Sequence, residues 1–411
     1  MNVRNVGIER ARVYPCSLSL SMADLCAARG HDPADIRDVM MIDERSVNPP
    51  FEDPVTMAVN AARPMLTDAD RRDIELLIVG SESGVDQEKP MSTWVHRYLA
   101  LSPWCRNFEL KHACYSGTAG LQMAASYLAS GFAGPRAKAL VITTDQSRMH
   151  LGKPYEYVMG AGATALLVSR DPLLFELEPG KNGVFTHEVS DLTRPTSRVE
   201  TGNSETSLLS YLEALDQAFG SYIERAGEPV SYDYFKKNIY HVPFGGMTLQ
   251  ATRAALRKFG PCTKAAARAV WEAKTLPSLA HVRRMGGTYA SSTFIALLAL
   301  VEGSPDLRAG DRIGMFSYGS GSCAEFYSGF VGPEAKRIAA EAGVRGLLDE
   351  RHELTVGEYE AIERERTDCV DCGDFVPTMD LCDGLYDRAY RGRGKLVFRG
   401  IHDHYRQYGW S

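Results

Sequence analysis

Three residues whose types suit nucleophilic and acid–base catalysis each stand at the edge of an apolar run. Cys114 follows residues 107–113, which read as a strand, and stands where a helix is expected to begin. Backbone N–H groups and the helix dipole would there favour its thiolate, the nucleophilic form. The small residues 116–120 would let a substrate carbonyl approach the backbone closely. We interpret Cys114 as a reactive nucleophile; an unreactive buried thiol is the alternative.

Glu82 and His241 supply two groups that such a nucleophile needs. Glu82 lies in Gly-Ser-Glu-Ser-Gly (80–84) after an apolar run, where desolvation would raise the pKa of its carboxyl towards the range useful for proton transfer. A cap of the following helix is the alternative. His241 ends another apolar run and would project from a strand end into a cleft, where α/β proteins keep their sites, unless it is a hydrogen-bonded core histidine.

A glycine-rich turn, Ser-Tyr-Gly-Ser-Gly at 317–321, follows a further apolar run. The N–H groups of this turn, with Gly319 and Ser320 at its centre, could form an oxyanion hole together with the N–H of Cys114. Glycine is needed for such a role because the chain must fold tightly against the substrate. A plain turn between two strands explains the pattern equally well.

A Cys-x-x-Cys pair near the C-terminus raises the question of zinc. Candidate ligands are Cys369, Cys372, Cys382, His402 and His404. Two cysteines at this spacing can bind one zinc ion, but the spacing to the remaining ligands fits no compact finger. The neighbouring aspartates are typical of a solvated loop, so we expect no metal site.

The elements that must position these residues alternate between short β-branched runs and longer amphipathic stretches, which predicts an α/β fold. Strands are predicted over 74–79, 139–143, 165–169, 239–242 and 313–317, and helices over 121–130 and 294–302. Similar glycine-rich turns and apolar helices occur in both parts of the chain, which indicates two duplicated halves, 1–172 and 173–411. From residue 331 the sequence becomes charged, and solvent-facing helices over 334–341 and 355–366 would form an appendage that ends in a strand.

Composition excludes several classes of protein. The 411 residues carry a net charge of -6 and no run of Lys or Arg, which argues against nucleic-acid binding. Apolar stretches such as 294–301 are shorter than the roughly 20 residues that span a bilayer. Charges within the first ten residues argue against a signal peptide, so a cytoplasmic location is expected. Nine scattered cysteines predict free thiols.

The segments 80–86, 108–120, 160–163, 191–195, 241–244 and 316–322 together resemble the HMG-CoA synthase family in order and spacing. The resemblance runs from about residue 5 to the C-terminus. It implies a thiolase-like fold, a five-layer αβαβα arrangement of two duplicated halves, and a homodimer. It also implies a triad of Glu82, Cys114 and His241: the cysteine is acetylated, the glutamate takes a proton from the acetyl methyl, and the carbanion attacks a β-keto carbon of the second substrate, which the histidine orients. Hydrolysis then frees the product, and no cofactor is permanently bound.

The sequence departs from the CoA-using members at places that bear on the substrate. Gly287 replaces the family's asparagine in Gly-Gly-Thr-Tyr (286–289), so the direct contact of that asparagine to the substrate is not expected here; Gly287 and Tyr289 are the substrate-binding candidates in this turn. His112 stands where the family has glutamate before Ala-Cys. Gly245 and Gly246 replace lysines that follow His-Val-Pro-Phe and would bind the phosphates of coenzyme A. The ending Tyr-Arg-Gln-Tyr-Gly-Trp (405–410) resembles the synthases of polyketide β-branching.

That branch implies donor and acceptor acyl carrier proteins as partners, with substrates carried on phosphopantetheine. A mevalonate-pathway HMG-CoA synthase would perform the same chemistry on CoA thioesters. A non-catalytic thiolase-fold scaffold would have no reason to keep all three triad residues. A ketoacyl synthase would be expected to use a Cys-His-His or Cys-His-Asn set in place of a glutamate base.

Overall fold

The computed structural model describes residues 5–147 and 150–411. The strands in chain order are β1 (Gly7–Tyr14), β2 (Leu18–Ser21), β3 (Glu44–Val47), β4 (Ile74–Gly80), β5 (Arg106–Leu110), β6 (Lys138–Asp145), β7 (Gly162–Ser169), β8 (Phe175–Thr186), β9 (Leu192–Thr196), β10 (Val199–Gly202), β11 (Lys237–Tyr240), β12 (Arg312–Gly319), β13 (Cys323–Val331), β14 (His352–Leu354), β15 (Leu396–His402) and β16 (Tyr405–Trp410).

The helices are α1 (Met22–Arg29), α2 (Pro54–Ala62), α3 (Asp68–Asp73), α4 (Met91–Tyr98), α5 (Ser116–Ala129), α6 (Ser204–Arg225), α7 (Met247–Arg257), α8 (Lys264–Lys274), α9 (Val282–Met285), α10 (Ser292–Gly303), α11 (Ala335–Ala342), α12 (Val344–Asp349), α13 (Val356–Asp368) and α14 (Leu385–Ala389). Within the described residues, no helix combines the length and the apolarity that crossing a bilayer requires.

A mixed sheet of nine strands runs through the molecule in the order β11-β12-β13-β8-β1-β7-β6-β4-β5. One group of strands comes from residues 7–169 and the other from residues 175–331. The two groups join where Gly7 and Ile8 of β1 pair with β8. A Cβ at Gly7 would lie 2.1 Å from the carbonyl oxygen of Phe175, so the junction requires glycine. The expected boundary at 172/173 falls in the loop between β7 and β8.

The hydrophobic core around the nine-stranded sheet consists of one central and two outer apolar layers between the strands and the helices. This packing gives the five-layer arrangement of helices and strands. The pleat of β4 sends Leu76 and Ile78 to a central layer with α5 and α10, and Leu77 and Val79 to an outer layer with α2 and α4. On the other strand group, α6 and α7 cover the outer face of β12 and β13. The predicted thiolase-like α/β fold is confirmed.

The predicted strands lie within or overlap observed ones, whereas the starts of two helices differ from prediction. Helix α5 starts at Ser116, five residues before the predicted start at 121. The glycines there serve close packing, since a Cβ at Gly117 would lie 2.6 Å from Cγ2 of Thr143. Helix α10 likewise starts at Ser292. Strand β11 ends at Tyr240, although the N–H of His241 still donates to the carbonyl of Phe316 at 2.7 Å.

The C-terminal part is packed more tightly against the rest of the chain than its charge suggests. Helix α11 buries Ile338 in the central layer, and α13 buries Tyr359 against the strands β2 and β3. Strand β14 adds to β2 in parallel, and β15 buries Leu396 and Val397. The prediction of solvent-facing helices over 334–341 and 355–366 is therefore wrong for their inner faces, because each helix has one apolar stripe among its charges.

Candidate active site

Cys114 lies in a single 3-10 turn, Ala113–Tyr115, between β5 and the start of α5. The turn is strained, since Ala113 has φ 42°, a left-handed conformation that alanine rarely adopts. The Sγ of Cys114 donates to Oε2 of Glu82, with 3.6 Å between the two atoms. The nucleophile and the base predicted from sequence are therefore in direct contact, and both remain partly exposed.

Glu82 is held in the loop after β4 by its backbone. Its N–H donates to Oδ1 of Asp145 at 2.9 Å, and its carbonyl accepts from Nη1 of Arg194 at 2.8 Å. Helix α4 begins at Met91, whose N–H donates to Glu109 at 2.6 Å, so Glu82 caps no helix. The alternative of a capping residue is wrong, and the carboxylate of Glu82 is left free to face Cys114.

Burial sets the protonation of this pair. Desolvation, helped by the nearby carboxylate of Asp145, raises the pKa of Glu82 to about 8. Desolvation also raises the pKa of Asp145 to about 7. The pKa of the Cys114 thiol lies well above its ordinary value, first because of burial and then because of Glu82. The expectation that the helix start favours the thiolate is therefore wrong for the resting site, where burial first and then the adjacent acidic groups favour the thiol.

His241 is 2% exposed and belongs to the second strand group. Its carbonyl accepts from the hydroxyl of Tyr211 at 2.9 Å, and its Nδ1 lies 3.4 Å from Oγ of Ser292 at the start of α10. The turn that precedes α10, Tyr289–Ser291, packs against the turn that carries Cys114. Burial lowers the pKa of His241 to about 3, so the imidazole is neutral at physiological pH.

The predicted oxyanion and substrate-binding residues surround the nucleophile turn in different ways. A Cβ at Gly319 would lie 2.6 Å from the carbonyl oxygen of His112 and 2.7 Å from the nitrogen of Tyr115, so the end of β12, followed by Ser320, lies directly against the turn. The hydroxyl of Tyr289 is buried and has no hydrogen-bond partner among the described residues. It is thus available to a substrate.

The N–H and the carbonyl of Gly287 are both engaged in backbone hydrogen bonds. Its N–H donates to Val158 at 2.7 Å and its carbonyl accepts from Gly160 at 2.8 Å. A Cβ at this position would lie 2.6 Å from the carbonyl oxygen of Pro243, so no side chain fits here. A direct side-chain contact from position 287 to a substrate is therefore absent from this site.

Four further residues of the site were not singled out from the sequence. Asp145 ends the buried strand β6 and accepts from Glu82 and Ser81. Arg194 on β9 pairs with Glu200 on β10 at 2.7 Å, and His150 lies 3.5 Å from the same Glu200 oxygen. A carboxylate at the end of an apolar strand is the signal that identified Glu82, and it applies equally to Asp145.

The candidate zinc ligands near the C-terminus are dispersed. Sγ of Cys372 contacts the carbonyl of Asp368 at 2.6 Å, and His402 pairs with Asp374 at 3.2 Å on the exposed surface. Cys382 lies instead with His352 and Glu358, whose possible ligand atoms are within 4.8 Å of one another. The guanidinium of Arg388 approaches Nδ1 of His352 to 3.3 Å. No disulfide joins any of the nine cysteines, all of which lie in the described ranges.

Comparisons with known proteins agree with this geometry. The hydroxymethylglutaryl-coenzyme A synthase C-terminal family matches residues 253–407. The polyketide biosynthesis 3-hydroxy-3-methylglutaryl-ACP synthase PksG of Bacillus subtilis (strain 168) is 40% identical over 99% of both chains. The hydroxymethylglutaryl-CoA synthase of Enterococcus faecalis is 33% identical over 88% of this chain and 92% of its own. The crystal structure of the curacin pathway HMG synthase superposes with a TM-score of 0.94 at 40% identity, covering 99% of this chain and 100% of the other.

Proposed function

Since this chain belongs to the hydroxymethylglutaryl-coenzyme A synthase family, we propose that it is the carrier-protein-dependent form of that enzyme. It adds an acetyl group from a donor acyl carrier protein to the β-keto carbon of a polyketide intermediate on an acceptor carrier protein. The contact of 3.6 Å between the thiol of Cys114 and the carboxyl of Glu82 carries this proposal, because it places a base beside the atom that holds the acetyl group.

In the first step the sulfur of Cys114 attacks the acetyl thioester carbonyl, and the bond between that carbonyl and the pantetheine sulfur breaks. The thiol proton leaves through the carboxylate of Glu82, 3.6 Å away, or to solvent, and a proton is returned to the departing pantetheine sulfur. The tetrahedral oxyanion faces backbone N–H groups of the nucleophile turn and of the Gly319–Ser320 turn, which lies against it. The acetyl-cysteine is the result.

In the second step Glu82 removes a proton from the acetyl methyl. A carboxylate whose pKa is about 8 is a stronger base than an ordinary glutamate, which suits the weak acidity of a thioester methyl. The methyl carbon then attacks the β-keto carbon, and the new alkoxide takes up a proton. Neutral His241 orients that keto group through the ring nitrogen that Ser292 does not engage. Water finally cleaves the thioester, and Cys114 leaves as a thiol.

The backbone around Gly245 and Gly246 supports carrier proteins over coenzyme A. A Cβ at Gly246 would lie 1.9 Å from the carbonyl oxygen of Val39, and one at Gly245 would lie 2.7 Å from Cβ of Met41. The segment 39–41 therefore occupies the space that lysine side chains at these positions would need. The relatives also favour this branch, since the curacin synthase, at a TM-score of 0.93, has been crystallised with an acetyl donor-ACP.

We further propose that the enzyme is a cytoplasmic homodimer whose subunits meet at β5. This strand pairs only with β4 within the described residues and forms one edge of the sheet. Trp104, two residues before the strand, is 87% exposed. An open edge beside a large apolar side chain favours pairing with another chain. Trp104→Glu should shift the mass measured by light scattering from a dimer to a monomer.

The test of the proposed function is the rate at which Cys114 becomes acetylated. Intact-protein mass spectrometry would follow one acetyl adduct at equal concentrations of acetylated donor carrier protein and acetyl-CoA. We expect the carrier to react about tenfold faster or more, because phosphate contacts of about 1 kcal/mol each are missing for coenzyme A. The preference should shrink as salt rises. Cys114→Ala is the control and should give no adduct. Equal rates from both donors would support the mevalonate-pathway alternative.

A further inference from the structure

A buried carboxylate on the second strand group touches the turn that carries the nucleophile. Glu325 lies in the middle of β13 and is 1% exposed. Its Oε2 accepts from the hydroxyl of Tyr115 at 2.8 Å, and its Oε1 accepts from Nδ2 of Asn182 at 2.9 Å. Tyr115 directly follows Cys114, so this hydrogen bond links β13 to the nucleophile turn.

The pleat of β13 explains why this carboxylate needs a partner. Ala324 and Phe326 face the outer apolar layer, whereas Tyr327, on the same side of the strand as Glu325, packs in the central layer. Glu325 is thus a charged residue on the inner face of a central strand. Burial raises the pKa of its carboxyl, and no cation lies within salt-bridge distance among the described residues. Burying such a carboxylate costs free energy unless it is hydrogen-bonded. The groups that donate these hydrogen bonds are therefore held in defined positions.

The nucleophile turn has little stability of its own. Ala113 holds a left-handed φ of 42°, a conformation that is strained in a residue other than glycine. Gly319 packs so closely against the turn that a side chain at this position would clash with the nitrogen of Tyr115. The hydrogen bond to Glu325 is a second contact that holds the turn. Contacts of both strands β12 and β13 therefore hold Cys114 at its distance from Glu82.

We propose that Glu325 is a positioning residue for the nucleophile, acting through Tyr115 to keep Cys114 in register with Glu82 and with the backbone donors beside Ser320. The reaction in which this matters is the one given under the proposed function, on which the inference rests. Displacing reacting atoms by about 1 Å costs on the order of 100-fold in rate, so loss of the link should affect turnover more than substrate affinity.

Acetylation of Cys114 should be compared in Glu325→Ala, Tyr115→Phe and the double variant. We expect each single variant to lose about 10- to 100-fold in the maximal rate, with the half-saturating donor concentration little changed. The double variant should be no slower than the singles, because both remove the same link. Glu325→Gln should keep most of the rate, since its amide oxygen can accept from Asn182 and its NH₂ can donate to the hydroxyl of Tyr115.

The matched control is Tyr127→Phe, which removes another tyrosine–glutamate hydrogen bond, to Glu75 at 2.9 Å, near the far end of α5, the helix that follows the nucleophile turn. It should leave acetylation unchanged. Losses in Glu325→Ala and Tyr115→Phe that multiply in the double variant would overturn the proposal. So would a rate for Glu325→Ala within about threefold of the wild type, or a Glu325→Gln variant as slow as the alanine variant.

A second measurement needs no acyl donor and separates this inference from the proposed function. Alkylation of Cys114 by iodoacetamide in the wild type should rise with pH through the titration of Glu82, because the carboxylate accepts the thiol proton. In folded Glu325→Ala this rise of the alkylation rate with pH should be absent. An unchanged pH profile would contradict the positioning role. Failure of carrier-borne acetyl groups to label the wild type would contradict only the proposed function.

Discussion

Replacing Glu82 by glutamine should stabilise the fold while it removes the condensation step. On folding, the pKa of Glu82 rises from 4.5 to about 8, first because of burial and then because of the Asp145 carboxylate. A carboxyl with a higher pKa in the folded state holds its proton there while the unfolded chain has already ionised. The wild-type enzyme therefore loses stability as pH rises from 4.5 to about 8, and the loss is complete above that range.

The size of the effect follows from the two pKa values. One pKa unit corresponds to about 1.4 kcal/mol, so a rise from 4.5 to about 8 sets a ceiling of about 5 kcal/mol. Glu82 is partly exposed, so solvent screening reduces this figure. We expect Glu82→Gln to be more stable than the wild type by about 2–3 kcal/mol above pH 8 and by little at about pH 5.

The assay is urea unfolding of both proteins at the two pH values, with Glu213→Gln on the exposed side of α6 as the control. The control should show the same stability as the wild type at each pH. A stability difference that does not change with pH, or a Glu82→Gln variant less stable above pH 8, would refute the reasoning. In the same protein, acetylation of Cys114 should persist while condensation falls by about 100-fold or more, since the general base that takes the methyl proton is removed.

Four further outcomes are expected. Cys114→Ala should carry no acetyl group by intact-protein mass spectrometry, and one adduct on that variant would contradict the assignment. The condensation rate should rise with pH to a plateau above about 8, and Asp145→Asn should move that rise to lower pH by about one unit, because a negative charge beside Glu82 is removed. Tyr289→Phe should slow condensation about tenfold without lowering the unfolding temperature, because its buried hydroxyl has no hydrogen-bond partner in the described part of the chain. Gly246→Lys should lower the unfolding temperature without speeding acetylation by acetyl-CoA, and a faster reaction would show that the 39–41 segment gives way.

The strands and the layer arrangement were predictable because buried strands carry continuous apolar runs. Residues 74–79 and 139–143 predict strands that the structure extends by one to three residues at their ends. The start of α5 was not predictable, since Gly117 and Gly120 read as turn residues and act as packing positions. Composition also misled at α13, where Glu363 and Arg366 look solvated and in fact form a buried pair.

The candidate site, like the fold, was predictable from the sequence only in part. The residue types of Glu82, Cys114 and His241 and the apolar runs before them indicated covalent acyl transfer, but spacing alone could not place Glu82 against Cys114. The helix position of Cys114 predicted a low pKa, and the structure gives a raised one. The helix-dipole argument considers only the local turn, whereas the pKa is raised first by burial and then by Glu82 and Asp145, which are distant in sequence. Glu325 was missed because a charged residue within an apolar strand reads as an exception to the pattern.

The strength of Glu82 as a base depends on which groups the neighbouring cation Arg194 binds. Arg194 lies close enough to lower the pKa of Glu82, and a free guanidinium beside the carboxylate would weaken the base. Its side chain is instead committed to the backbone carbonyl of Glu82 at 2.8 Å and to the carboxylate of Glu200 at 2.7 Å. Glu200 also raises the pKa of Glu82. Arg194 can therefore hold Glu82 in place while Glu200 offsets its charge, and burial keeps the carboxyl basic enough to deprotonate the acetyl methyl.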